Sequence, residues 1–240
     1  MTFPTPAIGT NQVLIRTKAI GINPIDIQVR DAKNMLEMIT GGNYPEKVIL
    51  GWDVAGIVEQ VGGSVQTFQP GDEVYGLINM PGLGSTYATH VVAPAEQVSF
   101  MPRNLSFVAA GATPMAALTA WQAVVTLGQL QQGEKVLIHG ASGGVGHFAV
   151  QFAKARGAYV TGTASAKNEA FVRNLGVDEF LDYTAVPFET KISDVDVVID
   201  TIHSVDHIAR SITVIKKAAA WYIYNLILQV HWKISWLLQV

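Results

Sequence analysis

The sequence predicts an α/β protein with a β-rich, barrel-like first half followed by a doubly wound parallel sheet. Three observations carry that expectation. Before residue 106, short apolar runs alternate with Gly/Pro turns such as Pro70-Gly71-Asp72-Glu73. From Lys135 onward, strand-like and helix-like patterns alternate, which is how a parallel sheet covered on both faces reads. At the junction of the first such pair stands His139-Gly140-Ala141-Ser142-Gly143-Gly144-Val145-Gly146.

The composition excludes several classes. Hydrophobic residues make up 49% of the 240 and charged ones 15%, enough for a buried core and too apolar for a disordered chain. A net charge of −3 predicts no general attraction to nucleic acid or to acidic membranes. There are 0 cysteines, which removes disulfides, thiolate catalysis and cysteine-bound zinc and fits a reducing compartment, so a cytoplasmic location is expected. No basic-then-apolar secretory leader is visible at Met1 to Gly9.

In chain order, Val13 to Ile20 reads as a strand closed by the turn chemistry of Gly21-Ile22-Asn23-Pro24. Trp52 to Val61, Val74 to Gly76 and Tyr87 to Ala93 read as further strands. Ala109 to Gly128 reads as helix. After the strand Lys135 to Ile138, Val145, Phe148, Ala149 and Phe152 recur at i, i+3, i+4 and i+7, one apolar helix face. Lys154 and Arg156 suit the last turn of that helix, and Gly157 its C′ position. Tyr159 to Thr163, Glu179 to Tyr183 and Val195 to Asp200 are expected strands; Asn168 to Leu175 and Ser204 to Lys216 are expected helices. From Tyr222 to Leu238 every even position is apolar, a period of two that favours strand; a membrane span is the rival, over a stretch shorter than the ~20 residues one needs.

The glycine turn carries the chemistry. Glycines at 140, 143 and 146 permit a tight turn, close approach of a pyrophosphate, and helix-on-strand packing. The unpaired N–H groups and positive dipole end of the following helix favour a diphosphate there. Ser142, Gly144 and Val145 complete the expected cradle. An NAD site would place an acidic residue about 20 residues further on, to hold the ribose 2′-hydroxyl. Here stands Thr163-Ala164-Ser165-Ala166-Lys167. A 2′-phosphate would be repelled by a carboxylate and held by Ser165 and Lys167, so NADP(H) is the expected cofactor. Tyr183, at the end of the next strand, either closes over that phosphate or packs on the sheet edge.

These residues, with Gly21-Ile22-Asn23-Pro24-Ile25-Asp26, Leu50 to Val58, Pro70 to Gly76 and Ala117-Leu118-Thr119-Ala120-Trp121, resemble the zinc-independent quinone oxidoreductase branch of the medium-chain dehydrogenase/reductase superfamily. The likeness runs from about Asn11 to Lys217. It implies a GroES-like substrate domain (1–108), a Rossmann NADP-binding domain (109–217), an atypical apolar tail (218–240), and an active site between the two domains. It implies hydride transfer from NADPH to a small quinone or enone, with no nucleic-acid or membrane partner, and a homodimer if the tail permits one. Zinc-dependent relatives carry Cys where Asn23 stands and His-Glu where Trp52-Asp53 stands, so no metal is expected. His203 and His207, at i and i+4, read as surface helix histidines.

By the same resemblance Asn23 and Asp26 line the cleft beside the nicotinamide, with Thr119 near it. Two readings of Asn23 stand side by side: an amide that hydrogen-bonds a reacting carbonyl, and ordinary turn chemistry before proline. Asp26 likewise either works in the cleft or caps local backbone. Thr201 and Ile202 lie just past a strand's carboxyl end, where open α/β sheets bind ligands. Family members have strands before Asn11 and continue beyond Lys217, so the chain is expected to be truncated or altered at both ends. A non-catalytic NADPH-binding relative, or an inactive fragment, is the alternative to a working reductase.

Overall fold

The computed structural model describes residues 3–202 and 204–216. The alternating segment Tyr222 to Leu238, and His203, lie outside the described residues. Two compact units divide the chain, one running Met1–Met115 and the other starting at Ala116.

The first unit is built on an antiparallel sheet in the order β4-β1-β2-β3-β5. Its strands are β1 (Gln12–Ile20), β2 (Asp53–Val61), β3 (Glu73–Leu77), β4 (His90–Pro94) and β5 (Val98–Phe100). Val13, Ile15, Val54, Val58, Val74 and Val91 pack into one core, so the β-branched residues of four strands converge on the same interior. Tyr87 lies ahead of β4 rather than in it.

Two helices stand where only turn chemistry was expected: α1 (Pro24–Asp31) and α2 (Lys33–Thr40). Asn23 is the N-cap of α1, Pro24 opens it, and the Asp26 carboxylate accepts from the Asn23 backbone N–H at 2.6 Å. Proline at the first helical position loses no hydrogen bond, so this segment is a well-formed helix start. Val29, Leu36 and Ile39 pack with the fully buried Trp52 in a second core.

The expected single helix from Ala109 is two: α3 (Phe107–Gly111) and α4 (Pro114–Trp121), the latter running into a wider π turn over Gln122–Leu127. The break falls at Ala112-Thr113. The residue before a proline is pushed away from helical backbone, and the proline has no N–H to continue the ladder. The Ser106 hydroxyl caps α3 by accepting from the Ala109 N–H at 3.2 Å.

The second unit holds a parallel sheet in the order β8-β7-β6-β9. The strands are β6 (Lys135–His139), β7 (Tyr159–Ala164), β8 (Glu179–Asp182) and β9 (Val197–Asp200), joined by α5 (Gly144–Ala155) and α6 (Glu169–Asn174) and followed by α7 (Val205–Ile212). Val136, Ile138, Val160, Val197 and Ile199 enter one core; Leu137, Val198 and Leu181 enter another. The sheet is thus buried on both faces, as its nearly continuous apolar strands require. Helix α7 stops at Ile212, short of the Lys216 expected, because the chain extends again and Ile215 bridges Val195 in parallel. Connections run outward from β6 to β8 and then return to β9, so the carboxyl ends of β6 and β9 form the topological switch point.

Candidate functional site

At that switch point the glycine turn leaves β6 and starts α5. Gly140 has φ +69°, and a Cβ there would strike the Thr201 hydroxyl. A Cβ on Gly146 would strike the Gly140 carbonyl, which explains how α5 packs so tightly under the turn. Gly144 is different: its nearest neighbour to an added Cβ is Ala116 at 3.9 Å, so the space in front of the helix is open.

The Gly143 N–H is spent inside the turn, donated to the Gly140 carbonyl at 2.8 Å. Gly143 thus serves the tight turn expected of it, and its missing side chain leaves the approach to the helix end clear. The Gly143 carbonyl accepts from the His147 N–H at 3.0 Å, the first rung of α5. The N–H groups of Gly144, Val145 and Gly146 precede that rung and have no hydrogen-bond partner among the described residues, pointing along the positive end of a twelve-residue helix. The N-terminus of a helix with open amides is a general anion-binding geometry.

At the end of β7, Ala164 pairs with Asp182 of β8, so the residues that follow, Ser165 and Tyr183, leave the sheet side by side. Tyr183 is exposed, and so is Lys167 in the short 3-10 turn Ala166–Asn168. Asn168, not expected as a site residue, joins this edge to the glycine turn. Its side-chain Nδ2 donates to Ser142 Oγ at 3.1 Å and to Ser165 Oγ at 3.3 Å. The signal was present in the sequence as an asparagine three residues after Ser165, a spacing that reads first as helix capping.

Thr201 and Ile202 take up their places just beyond β9. The Thr201 hydroxyl donates to the His139 carbonyl at 2.8 Å, and the Ile202 N–H to Asp200 Oδ1 at 2.7 Å. Both groups therefore brace the loop. Beneath them His139 is fully buried, hydrogen-bonded to Thr163 Oγ1 at 3.1 Å and Ser211 Oγ at 3.2 Å. His207, expected on the surface, instead packs its ring 4.1 Å from that of His139 and pairs with Asp200 at 2.9 Å. Burial, and then the neighbouring His207, hold the His139 pKa well below the ordinary imidazole value. Thr119 is half-buried on α4, in the second unit.

In the first unit, Asn23 and Asp26 do come together, at the start of α1. Asn23 Nδ2 donates to Asp53 Oδ2 at 2.9 Å, and the Met115 N–H donates to Asp53 Oδ1 at 2.9 Å. Asp53 is fully buried; desolvation, with a small addition from the charge of Asp26, pushes its pKa up to about 6. Asp26 is also buried and also raised, by desolvation. Among the described residues its Oδ1 and the Tyr87 hydroxyl are both buried without a hydrogen-bond partner of good geometry, although they lie near enough to affect each other's protonation. Orphaned polar atoms of this kind call for a function or a ligand. The resemblance supplied Asn23 and Asp26; Tyr87 carried no sequence signal of its own.

The comparisons agree with this architecture. The Alcohol dehydrogenase GroES-like domain model matches residues 9–103 and the Zinc-binding dehydrogenase model residues 144–226. An NAD(P)H oxidoreductase RTN4IP1, mitochondrial, from Danio rerio is 39% identical over 209 residues, 80% of this chain and 53% of its own length. A chloroplast envelope quinone oxidoreductase homolog from Arabidopsis thaliana is 38% identical over 185 residues, 75% of this chain and 55% of its own. Among solved structures, the quinone oxidoreductase from Coxiella burnetii superposes with a TM-score of 0.82 at 34% identity, covering 97% of this chain and 74% of that one. GroES-like and Rossmann-like units with this glycine turn are the domain architecture of the medium-chain dehydrogenase/reductase superfamily. The chain belongs to the quinone oxidoreductase branch of the medium-chain dehydrogenase/reductase superfamily. It spans about half the length of the curated relatives it matches. No helix among the described residues is long and apolar enough to cross a membrane.

Proposed function

We propose that the chain is an NADPH-dependent reductase that transfers hydride to a small quinone or conjugated carbonyl without zinc. One observation carries the coenzyme assignment. Where a bound NAD would need a carboxylate at the end of β7, the chain presents Ser165, Lys167 and the amide of Asn168. Hydroxyl, ammonium and amide donors suit a phosphate and give the 2′-hydroxyl of NAD no acceptor carboxylate.

The donor set in the first unit supports chemistry without a metal. Asn23, Trp52 and Asp53 occupy the positions that hold ligands in zinc-dependent relatives. The Trp52 indole Nε1–H is spent on the Gly82 carbonyl at 2.9 Å, and indole offers no lone pair to a metal. Asn23 directs its nitrogen, not its oxygen, toward Asp53. Zinc prefers thiolate, imidazole and carboxylate donors, and these residues do not supply that set.

The reduced nicotinamide, when bound, supplies the hydride; one proton from solvent completes the two-electron reduction of a quinone to a hydroquinone. The unpaired amides of Gly144, Val145 and Gly146 hold the diphosphate. Ser165 and Lys167 hold the 2′-phosphate. Asn23 keeps one Nδ2 proton on Asp53 and offers the other to an acceptor oxygen that gains charge as hydride arrives. Asp53 is the anchor that fixes the amide's orientation.

The test is steady-state NADPH oxidation against a panel of quinones and enones. Turnover with one of them supports the reading. Tight NADPH binding with no turnover overturns the catalytic part and leaves a coenzyme-binding protein.

A further inference from the structure

We propose that Asn168 is a positioning residue for coenzyme choice, setting the hydroxyls of Ser142 and Ser165 as outward donors to two different phosphates. The inference rests on the NADPH reading above and adds to it the group that gives those serines their polarity.

A carboxamide nitrogen only donates, and it carries two protons. Asn168 Nδ2 lies 3.1 Å from Ser142 Oγ and 3.3 Å from Ser165 Oγ, so one proton serves each serine. A hydroxyl has a single proton and two lone pairs. Once a lone pair on each serine is taken by Asn168, the hydroxyl proton is free to turn away from it. A phosphate oxygen is an acceptor only, so it binds a hydroxyl whose proton faces it.

The placement makes the two serines unequal. Ser142 lies within the glycine turn, beside the unpaired amides of Gly144, Val145 and Gly146, where the diphosphate common to NADH and NADPH would lie. Ser165 lies at the end of β7, beside Lys167, where only NADPH has a phosphate. Asn168 itself is held by the turn it closes, its backbone N–H donating to the Ser165 carbonyl at 2.9 Å. One side chain therefore sets the donor sense of a shared subsite and of a discriminating one.

Asn168→Asp reverses that sense with almost no change in shape. Both serines would then donate inward to the new carboxylate and turn lone pairs toward the phosphates. Asn168→Ala removes the constraint without reversing it. Each variant and the wild-type chain are titrated with NADPH and with NADH by nicotinamide fluorescence, with the melting temperature measured alongside. One hydrogen bond to a charged group is worth roughly tenfold or more in affinity. For Asn168→Asp we expect NADH to weaken roughly tenfold and NADPH roughly a hundredfold, because NADPH loses both serines. Asn168→Ala is expected to lower the NADPH-to-NADH preference in the same direction by a smaller factor.

Asn168→Asp binding both coenzymes like the wild type means that the amide oxygen faces the serines, and overturns the proposal. Equal loss for both coenzymes in both variants also overturns it, since a general structural role would do that. The wild-type ratio separately decides the coenzyme reading. A wild-type chain with no preference for NADPH overturns that reading and the Ser165 half of the proposal, while the NADH titration still decides the Ser142 half.

Discussion

The side-chain amide of Asn23 donates to the carboxylate of Asp53 across 2.9 Å, in a spot where Asp53 is fully shielded from water. The Met115 N–H supplies the only other hydrogen bond found for that carboxylate among the described residues, and the two together do not offset its desolvation, which leaves the pKa at about 6 against an ordinary 3.8. The sign of the consequence follows from proton binding. Between pH ~4 and ~6 the folded chain holds a proton on Asp53 that the unfolded chain has released, so this group's contribution to stability falls as pH rises through that window. At about 1.4 kcal/mol per pKa unit the fall is on the order of 3 kcal/mol. Asp53→Asn is neutral throughout, so its stability relative to wild type should climb by that order from pH 4 to pH 7 in urea denaturation. A difference that stays flat contradicts the shifted carboxylate.

His139 should produce the opposite slope. Its folded-state pKa is depressed by burial and by His207, with Asp200 pulling the other way and Arg210 and Glu189 adding smaller opposed contributions. Below pH ~6.5 the unfolded imidazole takes a proton that the folded one refuses, so this contribution to stability is lost as pH falls. Imidazole NMR signals of His139 should show no titration between pH 7 and 5, and in the Asp53→Asn background, where the opposing Asp53 slope is removed, the melting temperature should drop over the same range. His139→Gln, which keeps hydrogen-bonding capacity without a titratable ring, should flatten that drop at a cost of about 1–2 kcal/mol at neutral pH.

Gly144 and Gly146 separate folding from binding. Gly144→Ala adds a methyl into open space, so the fold should tolerate it, with a change within about 1 kcal/mol and of either sign. The methyl intrudes on the approach to the unpaired amides, so coenzyme affinity should fall at least tenfold. Gly146→Ala collides with the Gly140 backbone and should instead destabilise the unit by about 1–3 kcal/mol. Thermal melts with coenzyme titrations on both variants check the pair; equal behaviour would mean that the turn does not have this shape.

Lys167→Glu reverses a charge on the exposed turn after β7. NADPH should weaken by roughly tenfold or more, and NADH should be nearly unaffected, since only NADPH brings a phosphate there. Equal losses for the two coenzymes, measured by titration, would remove Lys167 from the site.

The legible parts of the fold were those with local causes. The β6–α5–β7 unit was readable because apolar residues recur with helical period between two apolar runs, and the glycines mark the turn. Helices α1 and α2 were missed for a physical reason. Ile25, Ile27 and Val29 alternate with Asp26, Gln28 and Arg30, a strand-like period of two, and only the Asn23-Pro24 start and Asp26 cap betray a helix. The break before Pro114 was written in the proline itself. The early end of α7 was not local at all, because it depends on Ile215 meeting Val195. The site divides the same way. The placement of the glycine turn at the start of α5 and of Ser165 just past β7 could be read from spacing, whereas the Asn168 bridge, the packing of His207 on His139 and the Asp26–Tyr87 proximity exist only because the fold brings distant residues together.

The most direct test of the account is a fluorescence titration of the wild-type chain with NADPH and with NADH under identical conditions. Micromolar or tighter NADPH binding, with NADH at least tenfold weaker, is what open amides at Gly144 to Gly146 and a carboxylate-free Ser165–Lys167 edge predict. Failure to bind either coenzyme, or tighter binding of NADH, would contradict it.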